Sequence, residues 1–188
     1  LHLAHHHIGH MTLPSRELLL ALPLFFACVG NNGSDDAADE ERSPSTNSTM
    51  DHHSHARPDE AVITHLDLDI TVDMTARTIA GTATYRIEDH GKGRIILDTD
   101  GLIVDRVTDG EGGGLEFALG DSTFLGRPLE VGIPAGTGSF AVHYRTGRQA
   151  KALQWLDAHQ TADGRHPFLF TQGQAILTRS WIPVQDSP

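Results

Sequence analysis

Between His65 and Met74 apolar and polar residues alternate, and no other feature restricts the fold of this chain as strongly. In an extended strand, three aspartates and a threonine would share one face and the aliphatic residues the other. A helix would distribute the same aspartates around its whole circumference. The segment is therefore predicted to be a half-buried β-strand with an inner face of Leu66, Leu68, Ile70 and Val72.

The next run, TARTIAGTATYRIE at residues 75–88, follows a short turn and also alternates. Two such runs predict an antiparallel hairpin, and Gly81 inside the second run indicates a bulge or a close approach of backbones. Between residues 62 and 150 no helical period is sustained. The predicted fold class is all-β, a mostly antiparallel sheet or sandwich over residues 62–188. Gly- and Asp-containing turns separate the further predicted strands, which are RIILDT, LIVDRV, LEFALG, PLEVGIP and GSFAVHYRT.

The first 28 residues are predicted to be a leader and a targeting signal. Residues 1–10, LHLAHHHIGH, precede the first methionine and are excluded from the fold. After Met11, a short polar stretch leads to ten apolar residues, Leu18–Ala27. As a helix they would rise about 15 Å, roughly half the hydrocarbon thickness of a bilayer. That length fits the apolar region of a secretory signal.

Cys28 follows the apolar run directly and is the only cysteine of the chain. One cysteine permits no internal disulfide and no cysteine-based zinc site. An apolar run, a small residue, a cysteine and a polar acidic tether resemble a bacterial lipoprotein signal. This resemblance implies that residues 11–28 direct export and that lipidation of Cys28 anchors the chain in the cell envelope. The alternative is an ordinary secretory signal, and a periplasmic protein, with an incidental cysteine.

Residues 29–61 are rich in Asn, Ser, Asp, Glu and Gly and contain few aliphatic side chains. Such a stretch cannot bury enough apolar surface to offset the entropy lost on ordering, so a disordered acidic tether is predicted. Its end, DHHSHARPDE at 51–60, has three histidines that could bind a transition metal weakly. A solvated linker is the alternative interpretation.

Charge and motifs exclude several functions. The net charge of −11 provides no basic face for displacing counterions, so nucleic acid is excluded as a partner. The sequence contains no H-E-x-x-H, no G-x-S-x-G and no P-loop, and GDS at 120–122 is predicted to be a turn. No catalytic or metal-binding residue is assigned, including the isolated histidines His65, His90, His143, His159 and His166.

The end of the chain differs in residue composition from its β-rich middle. In PFLFTQGQ an apolar strand is predicted to enter a polar turn at Gln172, Gly173 and Gln174. A glycine can take dihedral angles closed to other residues and lets a ligand approach the backbone. Primary amides both donate and accept hydrogen bonds, as a bound peptide requires. A turn without any ligand is the alternative.

The segments ALQWL, HPFLFTQGQAI and IPVQDSP, together with Arg179, resemble the N-terminal domain of zinc aminopeptidases. The family meant is the one that includes leukotriene A(4) hydrolase and aminopeptidase N. The resemblance is closest to the leukotriene hydrolase branch and begins at about His65. It implies a large β domain packed against a thermolysin-like catalytic domain. It also implies that Gln172, Gly173 and Gln174 bind the substrate peptide in the shared cleft, with Gln174 the foremost candidate. Residues 177, 178, 180, 181 and 184 depart from the hydrolase pattern.

The family's zinc ligands and catalytic glutamate lie in motifs that are not among these 188 residues. We therefore expect part of an exported zinc aminopeptidase, truncated before its catalytic domain, that supplies one wall of the substrate cleft and has no activity alone. Peptide substrate and the catalytic domain are its expected partners, and zinc is expected only in the complete enzyme. A non-catalytic, surface-tethered β module that binds a peptide or protein is the alternative. Metal storage by the histidine clusters would explain nothing beyond residue 60.

Overall fold

A computed structural model describes residues 51–187 of the chain. Within this range there are nine strands and two short 3-10 helices, and no helix is long and apolar enough to cross a membrane. The all-β prediction is confirmed. The strands are β1 (Ala61–Asp73), β2 (Thr78–Asp89), β3 (Arg94–Thr99), β4 (Ile103–Asp109), β5 (Phe117–Leu119), β6 (Arg127–Gly132), β7 (Ser139–Arg145), β8 (Leu153–Leu156) and β9 (Phe168–Thr171), and the 3-10 helices are Ala158–Gln160 and Leu177–Ser180.

The strands form three antiparallel sheets. A four-stranded sheet has the order β1-β2-β7-β4, a three-stranded sheet the order β3-β6-β5, and β8 pairs with β9 alone. The predicted hairpin is β1–β2, in which Leu66 lies opposite Tyr85 and Ile70 opposite Gly81. A register shift between Ile63 and His65 marks a bulge that the alternation did not reveal. Among residues 51–187, strand β1 has a partner strand on one side only and is an edge of its sheet.

The hydrophobic core lies between the four-stranded and three-stranded sheets. Tyr85 and Phe140 stack with their ring centroids 4.8 Å apart, and neither is exposed. Aliphatic side chains from the facing strands β3 and β6 complete the core, because alternate residues of each strand point inward. These aliphatic residues are Ile95, Leu97, Leu129 and Val131.

Gly81 confirms the predicted close approach of backbones. A Cβ atom at this position would lie 2.7 Å from the Cα atom of Ile70 and 3.0 Å from the carbonyl carbon of Asp69. Real Cβ atoms do not approach backbone so closely, so any larger residue would force the hairpin apart. The glycine therefore allows β1 and β2 to pair along their full length.

The structure differs from the predicted tether at its C-terminal end. Residues 51–60 precede β1 without joining a strand, yet Ser54 and Ala56 are buried against the domain, as is Ala61 in β1. Composition gave no sign of this, because the segment is held by hydrogen bonds to distant residues rather than by aliphatic burial. The leader at 1–10, the signal at 11–28 with Cys28, and the tether from 29 to 50 lie outside the described residues.

Candidate functional site

The Gln172–Gln174 turn lies where β9 ends, as predicted, just before the 3-10 helix Leu177–Ser180. Gln172 and Gln174 are exposed, and Gly173 is half-buried. The turn is held at both ends by backbone hydrogen bonds. The N–H of Gln172 donates to the carbonyl of Ala152 across 2.9 Å, and the N–H of Leu177 donates to the carbonyl of Gly173 across 2.7 Å. The peptide bond between Gln174 and Ala175 is cis.

The two glutamine side chains have different environments. The Oε1 atom of Gln172 accepts a hydrogen bond from the backbone N–H of Gln174 across 3.1 Å, which closes the turn on itself. Among residues 51–187, no hydrogen bond is formed by the side-chain amide of Gln174. Gln174 therefore presents one donor group and one acceptor at the surface, which is what recognition of a peptide unit requires.

Gly173 fits its position for a different reason from the one that the sequence suggested. Its φ angle lies outside the left-handed region, so backbone freedom is not the cause. A Cβ atom here would lie 3.5 Å from the Cβ atom of Thr178 and would overlap the Thr178 hydroxyl. Glycine thus lets the 3-10 helix fold back tightly against the turn.

Arg179 anchors this 3-10 helix in the protein interior. Its side chain is almost fully buried, at 1% exposure. The guanidinium donates to the carbonyl of Leu125 across 3.0 Å, to the carbonyl of His53 across 2.8 Å and to Asp186 Oδ2 across 2.7 Å. The backbone N–H of Asp100 donates to the carbonyl of Arg179 across 2.8 Å. Both ends of Arg179 are therefore fixed.

Ser180 provides the second anchor. Its hydroxyl donates to the carbonyl of Leu177 across 2.7 Å and accepts from the N–H of Ala152 across 2.9 Å. Ala152 also accepts from Gln172, so one short segment before β8 holds the turn and the helix together. The candidate site is therefore an exposed pair of amides. Beneath it lies a buried polar cluster, here called the base, which includes Arg179 and Ser180.

Asp98, at the end of β3, is the second charged residue of that base and is fully buried. Its carboxylate accepts from the Ser54 hydroxyl across 2.5 Å and from the His55 N–H across 2.8 Å, and it lies 3.5 Å from the Arg179 guanidinium. Sequence reasoning missed this cluster. The one available signal was a carboxylate at the end of the apolar run RIILDT, which is a costly residue to bury without partners.

The isolated histidines do not come together. His143 lies on the outer face of its sheet, where its Nδ1 atom is 3.0 Å from the Thr82 hydroxyl oxygen. Desolvation, followed by the charge of Arg106, lowers the pKa of His143. His166 Nδ1 lies 2.7 Å from Asp163 Oδ2 in an exposed loop. Hydrogen bonds from the backbone N–H of Arg165, and then from the His166 ring and the Thr161 hydroxyl, hold the pKa of Asp163 well below its ordinary value.

No metal-binding group is assembled in the described range. Within residues 51–187, no three His, Cys, Asp or Glu side chains are placed to hold a metal ion. Of the three histidines at 52–55, His55 is held by the buried carboxylate of Asp98, with 2.9 Å between Nδ1 and Oδ1. The described residues therefore show no set of ligands for zinc.

Comparison with known proteins gives a consistent set of relatives, although no family model matches. The chain is 38% identical to leukotriene A-4 hydrolase of Xenopus laevis over 146 residues, which covers 73% of this chain and 24% of that protein. It is 32% identical to leucine aminopeptidase 2 of Yarrowia lipolytica over 153 residues, which covers 79% of this chain and 22% of that protein. The chain thus spans about a quarter of the length of these relatives.

Solved structures show the same fold. Yeast leukotriene A4 hydrolase in complex with bestatin superposes with a TM-score of 0.70 and 29% identity, covering 79% of this chain and 24% of that one. An M1 zinc metallopeptidase from Deinococcus radiodurans superposes with a TM-score of 0.50 over 69% of this chain and 30% of that one. At 18% identity the second match shows similarity of fold alone.

Proposed function

The aligned part of this chain belongs to the M1 zinc aminopeptidases that include leukotriene A-4 hydrolase and leucine aminopeptidase 2, and we propose that it acts as the N-terminal β domain of an exported member. In this proposal the domain supplies one wall of a peptide-binding cleft and has no hydrolytic activity alone. The complete enzyme would release residues from the N-termini of peptides. The observation that carries the proposal is the exposed pair of amides at Gln172 and Gln174, set on a buried base.

Binding by the glutamine turn follows from its chemistry. The Gln174 amide can donate to a carbonyl and accept from an N–H of the same peptide unit. Because the turn is fixed at Ala152 and Gly173, little conformational freedom is lost when a peptide binds, and a preorganised site binds more tightly. Gln172 would contribute mainly by holding the Gln174 backbone in place.

Zinc would be held by residues outside 51–187 in this proposal. When bound, zinc lowers the pKa of a bound water and polarises the scissile carbonyl. The part of the chain that the structure describes would orient the substrate peptide beside that centre. Peptide and the zinc-bearing part of the enzyme are therefore the proposed partners.

Export is proposed from the signal alone. A signal at residues 11–28, with lipidation at Cys28, would place the domain in the cell envelope, tethered to a membrane. Labelling cells with a radioactive fatty acid would test this step. Label should appear in the wild-type protein and be lost in Cys28→Ala, whereas label retained in Cys28→Ala would refute lipidation at this residue.

The cleft-wall role is tested on the complete gene product that contains these residues. Hydrolysis of a leucine p-nitroanilide substrate and of a leucine tripeptide would be measured for the wild type, Gln174→Ala and the control Gln154→Ala. Gln154 is also an exposed glutamine, but on β8. The tripeptide reaches further along the cleft, so Gln174→Ala should reduce kcat/KM for it about tenfold, as expected for one lost hydrogen bond in a confined site. Equal effects of the two variants would contradict the role.

A tethered binding module is the second candidate function. The observation that favours it is the closed core between two sheets, in which Tyr85, Phe140 and their aliphatic neighbours are fully buried. A domain with such a core can unfold as one cooperative unit. If the gene's reading frame continues into an H-E-x-x-H motif, the module is excluded as the whole function. If the natural product is this domain alone and binds peptide, the enzyme proposal is excluded.

A further inference from the structure

The segment before the first strand contacts the base of the glutamine turn through side chains more than forty residues away. We propose that residues 51–57, here called the strap, position the glutamine turn, and that Asp98 and Arg179 are the positioning residues through which they act. The strap belongs to the stretch that composition assigns to a disordered linker. Its influence on peptide binding rests on the proposed function, but its influence on the turn does not.

The strap is fixed first to Asp98. Three of its groups meet this carboxylate: the Ser54 hydroxyl, the His55 backbone N–H and the His55 ring, at 2.5, 2.8 and 2.9 Å. The N–H of Ala56 donates to the Ser54 hydroxyl across 2.9 Å, so the strap also bonds to itself. A buried carboxylate is stable only when its acceptor sites are occupied, and the strap supplies most of these donors.

The strap is fixed a second time through Arg179. The carbonyl oxygen of His53 accepts from Nη2 of Arg179, the same nitrogen that donates to Asp186 Oδ2. Nη1 of Arg179 lies 3.5 Å from Asp98. One buried guanidinium thus touches the strap, the end of β3 and the segment after the 3-10 helix. Because Arg179 belongs to that helix, its position sets where the helix lies.

The helix in turn closes the glutamine turn. The N–H of Leu177, its first residue, donates to the carbonyl of Gly173, and Thr178 packs against Gly173. If the strap leaves, Asp98 loses three of its donors and Arg179 loses the His53 carbonyl. A buried charge pair that loses partners is strongly destabilised, and relief would come from displacement of the 3-10 helix. We infer that the turn then loses its hydrogen bond at Gly173.

Hydrogen–deuterium exchange on the 188-residue chain tests this coupling without any peptide. Ser54→Ala removes the strap's shortest bond to Asp98. The control is Thr146→Val, which removes another buried hydroxyl, one that accepts from the N–H of Ile79 across 2.9 Å. In Ser54→Ala, the Leu177 amide should exchange about tenfold faster, the change expected for one hydrogen bond to a charged group. In Thr146→Val, the Leu177 amide should exchange as in the wild type.

The outcomes separate a local role from general destabilisation. Unchanged exchange at Leu177 in Ser54→Ala, or equal acceleration by both variants, would overturn the proposal. If Ser54→Ala is recovered unfolded, His55→Ala provides a milder variant that keeps the backbone N–H. It should accelerate exchange at Leu177 about threefold, and no acceleration would again overturn the proposal. A chain that shows the coupling but binds no peptide would refute the proposed function and leave the strap's role intact.

Discussion

The hydroxyl of Tyr85 donates a hydrogen bond to the carbonyl oxygen of Pro183 across 2.6 Å, joining the centre of β2 to the last described segment. Tyr85 is fully buried, and burial raises its pKa well above the ordinary value. The bond explains why residues 182–185 run beside the core. The same segment also contacts the edge strand β1, because the side chain of Gln185 forms hydrogen bonds with the backbone of Ala61 and Ile63.

Two tyrosine variants should therefore differ in stability. Tyr85→Phe leaves the Pro183 carbonyl without its donor and should lower the free energy of unfolding by about 1–2 kcal/mol. The hydroxyl of Tyr144 is also buried but has no hydrogen-bond partner among the described residues. Tyr144→Phe should therefore be neutral or stabilising by up to about 1 kcal/mol. Urea unfolding at pH 7 measures both, and a larger loss in Tyr144→Phe than in Tyr85→Phe would refute this assignment.

Alkaline pH should destabilise the domain through the same residues. Burial raises the pKa of Tyr144 to about 12. In the unfolded chain the Tyr144 hydroxyl ionises near pH 10, whereas in the folded chain it stays neutral at that pH. The contribution of Tyr144 to the free energy of unfolding is therefore complete below pH 10 and is lost as pH rises towards 12. At pH 11 the loss from Tyr144 is about 1 kcal/mol. Urea unfolding at pH 8 and 11 should show a smaller difference for Tyr144→Phe than for the wild type. An equal difference would exclude Tyr144 as a source.

The close pairing at Gly81 predicts a strong effect of one methyl group. Gly81→Ala places a carbon 2.7 Å from the Ile70 Cα atom and should cost about 1–3 kcal/mol, as other overpacked substitutions do. Gly138→Ala is the matched control, because its new Cβ atom would meet nothing within 4 Å. Thermal unfolding compares the two. A midpoint for Gly81→Ala at or above that of Gly138→Ala would show that the hairpin can open at no cost.

The exposed apolar residues of β1 predict self-association. Leu68 and Val72 are 38% and 40% exposed on an edge strand, a surface that favours pairing with another chain. Leu68→Lys should reduce association while changing stability by less than about 1 kcal/mol. Thr71→Lys, on the opposite face of the same strand, is the control and should reduce it less. Light scattering against concentration measures both, and equal scattering by the wild type and Leu68→Lys would contradict this role of the edge.

Local pattern predicted the strands well because residues that face the core alternate with outward-facing ones, as along β7. The inner face predicted for β1 is only partly right, since Leu66 and Ile70 are half-buried but Leu68 and Val72 are exposed on the edge strand. The run RIILDT coincides with β3, and the turn after PFLFTQ follows β9. The strap could not be predicted in this way. Ser54 is buried because Asp98 lies 44 residues away and needs a donor, and that requirement appears only once the sheets are assembled. Arg179 was visible in the family resemblance, but its burial and its contact with His53 depend on the tertiary fold.

The peptide-binding role of the glutamine turn is the central claim, and an NMR titration of the 188-residue chain with the tripeptide Leu-Gly-Gly tests it most directly. We predict that the amide resonances of Gln172, Gly173 and Gln174 shift together, with a Kd on the order of 1 mM for a single wall of a cleft, and that the tripeptide stays intact. Shifts that spare these three residues would contradict the claim. Release of free leucine that a metal chelator stops would contradict the accompanying proposal that this domain has no hydrolytic activity alone.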